Sequence, residues 1–183
     1  MKNKNLIPVL AAVLLCTAAA VPAAADELNW TQDTAYYADN SEWAGNFSVF
    51  EEIGLKMYLP MVFEADELTP EDRGNGYVAY YVIPENEAAG IGIMALDMEG
   101  MEPEYYAQLL SSEYQVTDAV PGQVNGLPMV TYTHPEDPAC KVLSVCAGNG
   151  LLVEFSFSPI DDEFMQTAVS IMMHSIMDAE QPL

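Results

Sequence analysis

Between residues 46 and 178, apolar positions recur mostly with a period of two, and two stretches break that rhythm with helical spacing. Phe47 to Glu51 and Leu55 to Leu59 are short β-type runs separated by Ile53-Gly54. Pro60 stops the second run, because proline has no N–H to give a ladder. Tyr77 to Ile83 is rich in Tyr and Val, and Ile91 to Met98 is apolar on both alternating faces, the mark of a strand in the middle of a covered sheet. Tyr114 to Val120 and Leu127 to His134 predict two more strands, with Pro121-Gly122 and Asn125-Gly126 as turns. The clearest hairpin joins Lys141–Ala147 to Leu151–Phe157 across Gly148-Asn149-Gly150. In its second strand Leu151, Val153, Phe155 and Phe157 share one face, and Glu154 and Ser156 take the other.

Two helices interrupt the strands. Pro103 suits a first helical turn, and Tyr106, Leu109 and Leu110 follow at helical spacing as far as about Glu113. Asp161, Asp162 and Glu163 load the start of a terminal helix with negative charge, which favours the positive end of the helix dipole. Phe164, Ala168, Ile171, Met172 and Ile176 then form an apolar stripe that predicts a helix to Met177 and reads as core. Strands with meander-type neighbours and a late helix predict an α+β fold, a largely antiparallel sheet flanked by helices.

Residues 1–25 follow a different rule. Lys2 and Lys4, the apolar stretch Leu6–Leu15 and the small residues of Val21-Pro-Ala-Ala-Ala25 make a signal peptide cleaved after Ala25, so the protein is expected to be secreted. The apolar run is too short to span a membrane. Acylation at Cys16 ranks second, since Leu15 stands where lipoprotein signals carry a small residue. Residues 26–45 have no clear period and carry Trp30, Tyr36, Tyr37 and Trp43. They read as an N-terminal linker or arm whose aromatic side chains dock on the domain or on a partner. The single domain is expected over 46–180.

Charge changes the picture of partners. The 183 residues hold 28 acidic and 5 basic side chains, a net charge of −23, with 51% hydrophobic residues. That hydrophobic content argues against disorder, and the lack of Lys and Arg clusters excludes nucleic acid. Loss of the leader leaves Lys56, Arg73 and Lys141 to face all the carboxylates, so counter-ions, divalent cations or a basic partner must share the excess, and a solvated acidic surface is the simpler reading. Cys140 and Cys146 sit at the ends of one predicted strand, about 20 Å apart if it is unbent. A disulfide needs Cα atoms within about 7 Å, so both thiols are expected to stay free.

Ile53-Gly-Leu-Lys-Met-Tyr-Leu-Pro60, the acidic insert after it, the Gly-Asn-Gly hairpin leading into Leu-Val-Glu-Phe-Ser-Phe157, and the closing helix to Ile176 resemble the PsbP-like proteins over residues 46–178. The resemblance implies an antiparallel sheet sandwiched between helices, and an accessory or binding module in place of an enzyme. It offers no catalytic signature to place on this chain, and fold does not fix partners.

Candidate chemistry is sparse. His134-Pro-Glu136-Asp137-Pro-Ala-Cys140 alone gathers His, carboxylate and thiol; a Cys–His pair there would make a nucleophile, but two prolines read first as a rigid loop. Glu64, Asp66, Glu67, Glu71 and Asp72, with Asn75, supply the oxygen ligands Ca²⁺ takes, without EF-hand spacing. A solvated acidic loop is the simpler reading. His134 and His174 are the only histidines, too few to pair with the two cysteines as a zinc site, and His174 reads as structural. No catalytic, cofactor or metal residue is therefore assigned. The expectation is a secreted, non-catalytic module for an unknown protein partner, followed by a Ca²⁺-binding accessory protein through 64–72 and then by a Cys140/His134 enzyme.

Overall fold

The computed structural model describes residues 26–84, 86–96, 98, 100–161 and 163–183. The leader, with Cys16 and the cleavage site after Ala25, lies outside them. In chain order the elements are β1 (Asp26–Leu28), α1 (Gln32–Asp39), β2 (Gly45–Phe50), β3 (Leu55–Pro60), β4 (Glu64–Ala65), α2 (Pro70–Gly74), β5 (Tyr77–Ile83), β6 (Asn86–Leu96), α3 (Pro103–Glu113), β7 (Val120–Val124), β8 (Leu127–Thr133), β9 (Lys141–Cys146), β10 (Leu152–Ser158), α4 (Glu163–Ser175) and β11 (Met177–Asp178).

An eight-stranded sheet runs β1-β7-β8-β9-β10-β6-β5-β4, and a three-stranded sheet runs β11-β3-β2. Every pairing is antiparallel except β1 with β7. The period-two pattern divides the large sheet into two buried faces. Met129, Leu143, Val145, Val153, Phe155 and Phe157 point to the main core, which they share with α4 and the small sheet. Val130, Tyr132, Val142 and Leu152 point the other way, under Tyr106 and Leu110 of α3. This is the expected α+β arrangement, a largely antiparallel sheet with helices on both sides. β6 lies inside the sheet, and Ile91 and Ile93, which share one of its faces, are fully buried.

The predicted hairpin forms across Gly148–Gly150. Gly150 has φ +87°, and its N–H donates to Ala147 O at 2.9 Å. The Asn125-Gly126 turn also forms, with φ +47° and +82°, the left-handed pair that a two-residue hairpin needs.

Two expectations need correction. Tyr114–Val120 is not a strand: Tyr114 and Val116 both donate back to Leu110 O, Gln115 has φ +58°, and the segment is the exit of α3. The strand is Val120–Val124, which contains the Pro121-Gly122 read as a turn. Pro121 is tolerated there because the β1 ladder starts at Gly122, so its missing N–H leaves no gap. Next, the polar loop after Pro60 holds the short strand β4 and the one-turn helix α2. The segment before Asn46 packs on the sheet and core that follow it. β1 joins the large sheet, and Ala38 and Trp43 are buried in the main core. The arm docks on its own domain, and Asn125 holds it: the Asn125 N–H donates to Leu28 O, Asn125 Oδ1 accepts from Trp30 N at 2.7 Å, and Nδ2 donates to His174 O and Ile176 O at 2.8 Å each.

Candidate functional site

The sequence-predicted candidates are chemically quiet. His134 and Cys140 meet through backbone, His134 N donating to Cys140 O at 2.9 Å. Their side chains do not make an activated pair. His134 Nδ1 accepts from Glu136 N at 3.3 Å, and burial, reinforced by Asp137, pushes the Cys140 thiol up to about 11. A thiol that stays protonated at neutral pH is a poor nucleophile. Cys146, at the far end of β9, is also free, and its thiol is pushed up by burial and by Glu102 and Glu104.

The acidic loop does not converge. Asp72 closes a capping box at α2, taking Thr69 N at 2.8 Å and Thr69 Oγ1 at 2.6 Å; these bonds hold its carboxyl below the ordinary carboxylate value. Asp66 Oδ1 accepts from Glu67 N. Among the described residues no three His, Cys, Asp or Glu side chains stand close enough to hold a metal ion. His174 is half-buried in α4 with Nδ1 2.7 Å from Ser170 O, and burial lowers its pKa below 6.5.

Glu154, placed on the polar face of β10, lies under α3 instead. Its Oε1 accepts from Tyr132 at 2.5 Å, Tyr106 at 2.7 Å and Ser144 at 2.8 Å. Register sets this up: Glu154 pairs with Ser144, and Tyr132 stands diagonally on the next strand. Burial and the neighbouring carboxylate push both phenols well above 10. Three donors on one oxygen tie the second core layer together.

An open feature lies on the other side, where the arm meets the small sheet. A groove of about 370 Å³ runs between α1 and the start of β2. Gln32, Ala35 and Asp39, one face of α1 at helical spacing, make one wall; Trp30, Phe47 and Tyr58 make the other. Antiparallel register places Phe47 directly opposite Tyr58. The Trp30 ring stands 5.4 Å from Phe47, nearly perpendicular, and 5.2 Å from Tyr58. The Tyr58 hydroxyl accepts from Gly45 N at 2.6 Å and donates to Asp39 Oδ1 at 3.2 Å, so the carboxylate is held at the aromatic wall.

Charge around this groove is predominantly negative, with one cation beside it, the Lys56 ammonium 5.9 Å from the centroid of the Phe47 ring. No Lys or Arg occurs between Lys4 and Lys56, whereas Glu27, Asp33, Asp39 and Glu42 are exposed. Lys56 is buried on β3, its ammonium taken by the carbonyls of Ala179 and Gln181. Among the described residues the one ion pair is Lys141–Asp118, at 3.6 Å. Sequence reasoning noted the aromatic side chains of the arm but not Asp39; the signal was the spacing of Gln32, Ala35 and Asp39 beside Trp30.

The sheet order and the two buried faces define a PsbP-like fold. The solution structure of cyanobacterial PsbP (CyanoP) from Synechocystis sp. PCC 6803 superposes with a TM-score of 0.50 at 8% identity, covering 76% of this chain and 95% of that one. No family model matches the sequence, and no curated protein matches it. The likeness is one of fold. No helix among the described residues is long and apolar enough to cross a membrane.

Proposed function

We propose that this protein is a secreted, non-catalytic accessory module that holds a basic segment of a protein partner in the α1–β2 groove. The observation that carries this reading is the Asp39 carboxylate held beside Trp30, Phe47 and Tyr58 in the lining of one groove. Aromatic faces and a carboxylate are the two groups that attract an alkylammonium. The end of α1 adds to them, since a helix C-terminus carries partial negative charge and Asp39 closes α1. A long acidic surface then steers a basic chain toward the groove. The PsbP-like fold supports an accessory role over an enzymatic one, and the protonated Cys140 thiol and closed Glu154 network agree with it.

The test is titration with a lysine-glycine peptide and with the same peptide acetylated on its lysines, each at low and high salt. Saturable binding that needs the free ammonium and weakens as salt rises supports the reading. Equal behaviour of the two peptides, or no saturation, overturns it.

A further inference from the structure

Three sulfur-bearing residues border one cavity beside the start of α3. Met98, Met101 and Cys146 border a pocket of about 180 Å³, together with Glu102, Pro103 and Leu152. The arrangement is built by a turn: Met101 N donates to Met98 O at 3.3 Å, and Gly100, at φ +71°, supplies the left-handed position. Cys146 then ties the last residue of β9 to that turn, its Sγ donating to Met101 O at 3.1 Å. All three side chains are half-buried, at the rim of the layer under α3 and not inside it.

From this donor set we infer a cuprous-ion site, with the Cys146 thiolate and the Met98 and Met101 thioethers as ligands. Thiolate and thioether are soft donors that select Cu(I) over hard divalent cations, and no histidine lines the pocket to favour zinc or cupric ion. Binding exchanges the thiol proton of Cys146 for Cu⁺, forming an S–Cu bond and releasing H⁺ to solvent, with no change of oxidation state. The Glu102 carboxylate at the pocket places negative charge beside the incoming cation. Cys140 takes no part, since it lies at the other end of β9.

The experiment uses the reduced full chain carrying Cys16→Ser in every arm, titrated anaerobically against the Cu(I)–bathocuproine disulfonate complex. One equivalent of copper is expected to move to the protein, with the ultraviolet thiolate-to-copper band appearing as it moves. Cys146→Ser should abolish transfer while its hydroxyl still reaches Met101 O. Met98→Leu with Met101→Leu, nearly equal in volume, should weaken binding by about tenfold or more, because two of three soft donors are gone. Cys140→Ser should change nothing. Copper left on the chelator overturns the inference. So does transfer that survives Cys146→Ser, or that is indifferent to the paired methionine change. Circular-dichroism melts of each variant separate lost ligands from lost fold.

Discussion

The Tyr58 hydroxyl bridges Gly45 N and Asp39 Oδ1, at 2.6 and 3.2 Å, so one phenol joins β2, β3 and the end of α1. Burial raises its pKa above 10, with Asp39 adding to the effect, so the hydroxyl remains a donor through neutral pH. Tyr58→Phe should therefore loosen the α1 wall without emptying the aromatic one. The expected result is a loss of about 1–3 kcal/mol in urea unfolding, since Gly45 N–H and Asp39 each lose a partner. Peptide binding should weaken along with it. Unchanged stability would mean that water replaces the bridge.

Asn125 is the pin for the arm. Its amide donates to two carbonyls at the end of α4, and its oxygen takes Trp30 N. Asn125→Asp tolerates the same positive φ but removes both donors and sets a carboxylate against two carbonyl oxygens. It should free β1 from β7 first, which hydrogen exchange at Leu28 would report as lost protection while the core strands stay slow. Uniform loss across the chain would contradict local pinning.

Much of the sheet could be read from sequence because its signals are local. The Gly148–Gly150 loop, the left-handed pair at Asn125-Gly126 and the N-terminal Pro103 each specify backbone geometry within a few residues. The failures share a cause as well. Pro121 and Gly122 look like a turn unless it is known that β1 arrives beside them only from Gly122 onward. Glu154 looks solvated until α3 folds over Tyr132 and Ser144. The groove needs Asp39 and Tyr58 brought together across 19 residues, which no period reveals.

The Glu154 network should matter for stability. Tyr132→Phe leaves a buried carboxylate oxygen one donor short, at a cost of about 1.5–3 kcal/mol, because bonds to charged groups are the stronger class. Equilibrium unfolding in urea would show a lower midpoint at constant slope. A midpoint equal to that of the parent chain would mean that the remaining two donors suffice.

His174 gives the chain an acid-side sensitivity. Burial lowers its pKa below 6.5 in the folded state, so the unfolded chain binds that proton at higher pH than the folded chain does. Stability from this residue is complete above the unfolded value, falls as pH drops below about 6.5, and levels off below the folded pKa. Comparing melts of the parent and His174→Gln between about pH 7 and about pH 5 isolates it from the carboxylates. The parent should lose more. Parallel curves would remove His174 as the source.

Calcium should have little to hold. Asp72 is engaged with Thr69, and the neighbouring carboxylates do not converge on a point. Melting in EDTA and in Ca²⁺ at matched ionic strength should coincide, and a rise specific to Ca²⁺ would contradict this.

The central claim is tested most directly at the indoles. Trp30 lines the groove, and Trp43, buried 2% exposed in the core, is a built-in control. We predict that a lysine-glycine peptide saturably shifts the ¹⁵N-indole signal of Trp30 and leaves that of Trp43 in place. Asp39→Asn, which keeps an oxygen for the Tyr58 hydroxyl, should reduce the affinity by about tenfold, a loss of about 1.4 kcal/mol. Shifts of equal size in the parent and in Asp39→Asn would show that the peptide merely follows diffuse negative charge, and the groove would not be the binding site.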